Sequence, residues 1–158
     1  MTPPSLELFV RSLHPQGAHQ RQEAILERLE QLEGDDEIES FSVVVWGDQI
    51  SRESVAARSL KGRYVLNRVA EFQQWALSTN VSLDSFYQTR SSGPESDVET
   101  ETTIVLPVMG LAEYQDGELV QVSPCTAGET VHTVQDHVDA LAAGDRPVDL
   151  QDASAQVV

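Results

Sequence analysis

The chain has 158 residues, 40% of them apolar and 23% charged, with 26 acidic against 10 basic side chains and a net charge of −16. That apolar content supports one folded domain rather than a disordered chain, and the acidic excess argues against the basic surface that nucleic-acid binding draws on. A single cysteine, Cys125, excludes an internal disulfide and a cysteine metal cluster.

Lys61 is the only lysine among the basic residues. An acidic, lysine-poor surface fits a very salty cytoplasm, where screening over a few Å removes self-repulsion. No stretch approaches the run of about 18 apolar residues of a membrane span. The start MTPPSLELFV lacks a basic segment followed by a long apolar one, so the expectation is a cytoplasmic protein without a membrane anchor.

In chain order, Leu6, Leu8 and Val10 alternate as in a strand, and Phe9 points to cover on its second face. Ser12 to Gly17 is a Pro/Gly loop. Ala18 to Glu33 has the helical stripe Ile25, Leu26, Leu29 and Leu32, with Gly34 as its stop. After a turn at Asp35 to Glu37, Ile38 to Trp46 is rich in β-branched and aromatic residues and predicts a strand that becomes fully buried. This is a βαβ unit with parallel strands.

Ser51 to Ala57 has the composition of a short capped helix, which Gly62 would break or kink. From Tyr64 the spacing of Val65, Val69, Phe72 and Ala76, with Trp75 beside them, predicts a helix ending at Asn80. Val81 to Arg90 alternates as a short edge strand, a place where two subunits would pair in a homo-dimer. Ser91 to Thr102 is polar and acidic and reads as a surface loop.

Ile104 to Tyr114 reads as an apolar strand, followed by the turn Gln115-Asp116-Gly117-Glu118 and a second strand, Leu119 to Val122. Asp-Gly between apolar runs is a strong hairpin signal, because both residues tolerate positive φ. Val131, Val134, Val138 and Leu141 then form the stripe of a helix over Thr130 to Ala143, closed by Gly144. Asp145 to Val158 lacks apolar periodicity and reads as a disordered acidic tail behind a single domain of residues 1–144.

The resulting order, β-α-β-α-(β)-β-β-α, resembles the thioredoxin-like fold. Phe9-Val10-Arg11-Ser12-Leu13, the Pro/Gly loop and Ala24-Ile25-Leu26-Glu27-Arg28-Leu29 are similar to that family's first strand, active-site loop and helix. The Asp-Gly hairpin and last helix are similar to its C-terminal half. The resemblance implies an α/β fold, a mixed sheet with helices on both faces. It also places the family's Cys-x-x-Cys near Gln16-Gly17-Ala18-His19, where neither thiol is present. Disulfide exchange needs a thiolate, so the scaffold would be redox-inactive. Pro107 stands close to the family's cis-proline position.

The whole chain is also similar to a group of small acidic haloarchaeal proteins named as helix-turn-helix domain proteins. Two helices across a short turn would arise here only from a split of Ser51 to Ser78 at Gly62.

The remaining reactive side chains form no recognisable catalytic or cofactor-binding motif. Cys125 reads as a small apolar residue at a strand end, and Trp46 and Trp75 as core, with Trp46 near a cleft. His14 and His19 lack a third metal ligand, and His132 and His137, five apart and so about 140° around a helix, read as surface residues. The expectation is a non-catalytic protein-interaction module without a cofactor, docking through His14, Gln16, His19, Trp46 and Pro107. The alternatives are a DNA-associated regulator and a small-molecule or thiol-ligand-binding enzyme.

Overall fold

Alternating Leu6, Leu8 and Val10 form strand β1 (Ser5–Val10) in the computed structural model, which describes residues 2–13, 19–51, 59–92 and 101–144. The chain continues through α1 (His19–Gly34), β2 (Ser40–Val45), β3 (Gln49–Ser51), α2 (Leu60–Thr79), β4 (Thr89–Ser92) and β5 (Glu101–Val105). It ends with β6 (Met109–Gln115), β7 (Glu118–Ser123), β8 (Cys125–Ala127), β9 (Thr130–His132) and α3 (Val134–Ala143). The main sheet has the order β2-β1-β6-β7. β1 runs parallel to β2 across the α1 connection, and β6 is antiparallel to both β1 and β7.

Helices cover both faces of this sheet. Leu6, Leu8, Val10 and Leu111 meet Ile25, Leu29 and Leu32 of α1 and Val134, Val138 and Leu141 of α3. Phe9, Ala112, Tyr114 and Val122 meet Val65, Val69, Phe72, Trp75 and Ala76 of α2 on the other face. Each fully buried apolar side chain of this kind contributes about 1.5–3 kcal/mol. The α/β class, the mixed sheet and the two-sided cover of β1 follow the sequence expectation.

The hairpin turn does too. Asp116 (φ 53°) and Gly117 (φ 84°) both occupy the left-handed region, as a tight turn matched to strand twist requires. The long strand before it is interrupted, however. β5 stops at Val105 and joins a separate sheet of order β3-β5-β4, while β6 starts at Met109 in the main sheet. Pro107 lacks an N–H and sits at the break. Leu106 N–H donates to the Asp48 carbonyl (2.9 Å), the Leu106 carbonyl accepts from Arg11 Nε (3.0 Å), and the Pro107 carbonyl accepts from Trp46 Nε1 (3.2 Å). The cis peptide bond of the described chain is Ser123–Pro124, and Leu106–Pro107 is trans.

Four other boundaries differ from expectation. β2 is an edge strand and is not fully buried; Val43 is 37% exposed. Its apolar run fits burial, but among the described residues the sheet order gives it no second neighbour. The last helix begins at Val134 rather than Thr130, because Thr130–His132 pair with Cys125–Ala127 and Thr133 and Asp136 form a capping box. Val81 to Gln88 is not a strand: a turn buries Leu83 and Tyr87, and β4 starts only at Thr89. Ser91–Ser92 and Glu101–Thr102, expected in a loop, belong to β4 and β5.

α2 runs without a break from Leu60 through Gly62, with the Ser59 hydroxyl accepting from Gly62 N–H and Asn80 closing it at φ 59°. Ser51 belongs to β3, and the rest of the expected short helix, residues 52–57, lies with residue 58 outside the described residues. The same holds for residues 14–18, 93–100 and the expected tail 145–158. α1 does end at Gly34, but the left-handed residue is Asp36, and Glu37 N–H returns to the Leu32 carbonyl (2.9 Å).

Candidate functional site

Four separate segments meet where α1 and α3 begin. Arg21 and Ile25, one turn apart on α1, face the Pro107-Val108-Met109 connection and the Pro124 and Thr133-Val134-Gln135 segments around a cleft of about 360 Å³. Its lining is largely apolar. Val108 is 39% exposed, and Pro107 and Met109 are half-buried. Arg21 supplies an exposed cation on one wall. The start of α3 is already capped from within: Asp136 N–H donates to the Thr133 hydroxyl (3.0 Å) and Thr133 N–H to the Asp136 carboxylate (2.9 Å). An anion entering the cleft would therefore meet Arg21 rather than that helix start.

Of the residues expected to form a docking face, Pro107 lines this cleft and His19 opens α1. His14 and Gln16 lie outside the described residues. Trp46 does not line the cleft. It is buried, stacked on Phe9 at 4.9 Å between centroids and set edge-on to Tyr87, and it holds the Pro107 segment by hydrogen bond.

The cleft carries no thiol. Cys125 is fully buried, and desolvation pushes its thiol up to about 11, with the Gln121 amide opposing from 3.7 Å. A protonated, enclosed thiol is a poor nucleophile. Among the described residues no group of three His, Cys, Asp or Glu side chains is placed to hold a metal.

Sequence reasoning missed a polar array beneath α3. His137 is buried, not a surface residue as expected: Ser123 Oγ lies 2.7 Å from its Nδ1, and its Nε2 lies 2.9 Å from Glu113 Oε1. The helix start at Val134 places His137 among the inward positions Val134, Val138 and Leu141. Glu113 shares a face of β6 with Leu111, which was a readable signal. Ser, His and Glu in a line have the order of a nucleophilic triad, but Ser123 is fully buried. No substrate reaches its hydroxyl, and the array joins α3 to β6 and β7.

A second cluster fixes α2. The Arg68 guanidinium lies between the Tyr64 and Tyr114 rings (4.9 and 4.8 Å) and donates to Glu7 (2.9 Å) and Glu71 (3.1 Å). The Tyr114 hydroxyl donates to Glu71 (3.0 Å), and the Tyr64 hydroxyl to Glu7. Burial, then the bond to Glu7, raises the Tyr64 hydroxyl above its ordinary value. Burial opposes the charge on Arg68, but its bonds to Glu7 and Tyr64 hold it above the usual range.

Among the described residues the architecture is that of an α/β domain with a four-stranded mixed sheet and three helices. A family model described as a helix-turn-helix domain matches residues 1–146, and the chain belongs to that family. No curated protein and no solved structure matches it. Among the described residues, no two helices follow each other across a short turn: β2 and β3 separate α1 from α2, and β4 to β9 separate α2 from α3. No helix among them is long and apolar enough to cross a membrane.

Proposed function

We propose that the chain is a non-catalytic protein-interaction module on a thioredoxin-like scaffold. The order β2-β1-β6-β7, with one parallel and two antiparallel neighbours and helices on both faces, supports the scaffold. The observation that carries the function is the cleft: an apolar hollow at the start of α1, with Arg21 as the one exposed cation among its described lining residues and without a reactive thiol. Such a site takes an apolar side chain of a partner protein, with an acidic group beside it for Arg21. Affinity capture at native salt with wild type, Val108→Glu and Arg21→Glu tests it. A partner retained by wild type and lost from both variants supports the reading; no partner, or equal retention, removes it.

A DNA-associated regulator is the second reading, favoured by the family's description and by one feature of α2. Residues 54–70 contain Arg58, Lys61, Arg63 and Arg68 and no acid, in a chain of net charge −16. Lys61 and Arg63 are exposed on the first turn of α2, whereas Arg68 is engaged by Glu7 and Glu71. Two exposed cations give a shallow salt dependence compared with proteins that make about 6–10 phosphate contacts. A mobility-shift series at high salt, with Lys61→Glu and Arg63→Glu as controls, separates this reading from the first.

A further inference from the structure

Among the described residues β2 is the outer strand of the main sheet and pairs with β1 alone. Its sequence, Ser40-Phe41-Ser42-Val43-Val44-Val45, has no charge, proline or glycine. Ser42 and Val43 are exposed, and Phe41, Val44 and Val45 are half-buried. Edge strands of soluble proteins are ordinarily blunted by charge, proline, bulges or a covering element, because open N–H and C=O groups attract another strand. In a chain where 23% of residues are charged, a six-residue uncharged edge that no other described residue pairs with calls for an occupant.

We infer that the occupant is β2 of a second copy, making a two-fold dimer with one continuous eight-stranded sheet. Three features favour this partner and define its register. First, Trp46 N–H donates inward to the Val10 carbonyl (2.8 Å), so alternation turns the N–H and C=O of residues 41, 43 and 45 outward. Second, an antiparallel pairing about Val43 sets Val43 opposite Val43 and Phe41 opposite Val45, and aromatic–aliphatic and β-branched cross-strand pairs are favourable. A two-fold at Ser42 would instead bring Glu39 opposite Val45.

Third, charge works for this strip and against the rest of the surface. Each copy carries −16, so two copies approach most readily along a charge-free edge, and the antiparallel arrangement keeps the two Glu39 side chains at opposite ends. The contact is isologous, so it closes at two copies.

The test is sedimentation equilibrium of the full chain in ~1 M salt, where the Debye length is about 3 Å. Wild type sediments at twice the 17.4 kDa chain mass, and Val43→Lys at the single-chain mass with an unchanged circular-dichroism spectrum and a melting temperature no higher than wild type's. Oxidation links Val43→Cys to itself but not Ser42→Cys, whose α-carbons would lie about 8 Å apart, beyond the reach of about 7 Å for a disulfide. A wild-type monomer, or a Val43→Lys dimer, overturns the inference. Efficient self-linking of Ser42→Cys overturns the register.

Discussion

The Trp46 indole donates its Nε1–H to the Pro107 carbonyl at 3.2 Å, joining two residues 61 positions apart. This bond fixes one wall of the cleft from the core beneath it. Trp46 leaves the end of β2, stacks on Phe9 and stands edge-on to Tyr87, so its ring is held before the bond is made. The apolar wall at Pro107 and Val108 is therefore anchored by a buried residue that does not line the cleft.

Replacing Trp46 by Phe should lower stability by about 2–4 kcal/mol, combining lost core volume with an unpaired Pro107 carbonyl. Gly110→Ala attacks the same contact from the other side. An added Cβ would lie 2.9 Å from Trp46 Cη2 and 3.3 Å from the Tyr87 hydroxyl. Its expected cost is about 1–3 kcal/mol, since the ring is confined by Phe9 and Tyr87. Urea unfolding of both variants checks these values.

The buried array predicts an asymmetry between two histidines. His137→Ala leaves Glu113 and Ser123 without that partner inside the core and should cost about 3–5 kcal/mol. His132, half-buried at the end of β9, should tolerate alanine within about 0.5 kcal/mol. Equal losses in a denaturant series would contradict the structural role given to the array.

Cys125 predicts a pH dependence. Its folded thiol is raised to about 11, above its value in an unfolded chain, so folding favours the protonated form. That contribution is complete below the unfolded pKa, about 8.5, and is lost as pH rises through about 11. Cys125→Ala should therefore flatten the loss of stability between about pH 9 and 11. In native wild type at neutral pH, alkylation should be slow and should accelerate on unfolding. Rapid labelling of the folded protein would reverse this account of the thiol.

Local signals were the most legible in the sequence. Asp116-Gly117 declared its turn because positive φ is a property of those two residues, and the stripes on α1 and α2 declared their buried faces. The strand break at Pro107 and the edge position of β2 depend on which strands neighbour each other, which composition does not encode. The start of α3 was readable from Thr133-x-x-Asp136, and reading it would have turned His137 inward. Pro107, singled out in the sequence, does line the cleft. Arg21, Val108, Met109, Pro124 and Val134 were not singled out, because their cleft forms only when separate segments fold together.

The central claim is that the cleft beside Val108 receives a partner protein. Site-specific photo-crosslinking from position 108, performed in cells under native salt, tests it most directly. The account predicts a discrete protein adduct at this position that disappears when Arg21→Glu is added. Absence of any protein adduct from position 108, together with recovery of DNA from a probe at Arg63, would contradict it.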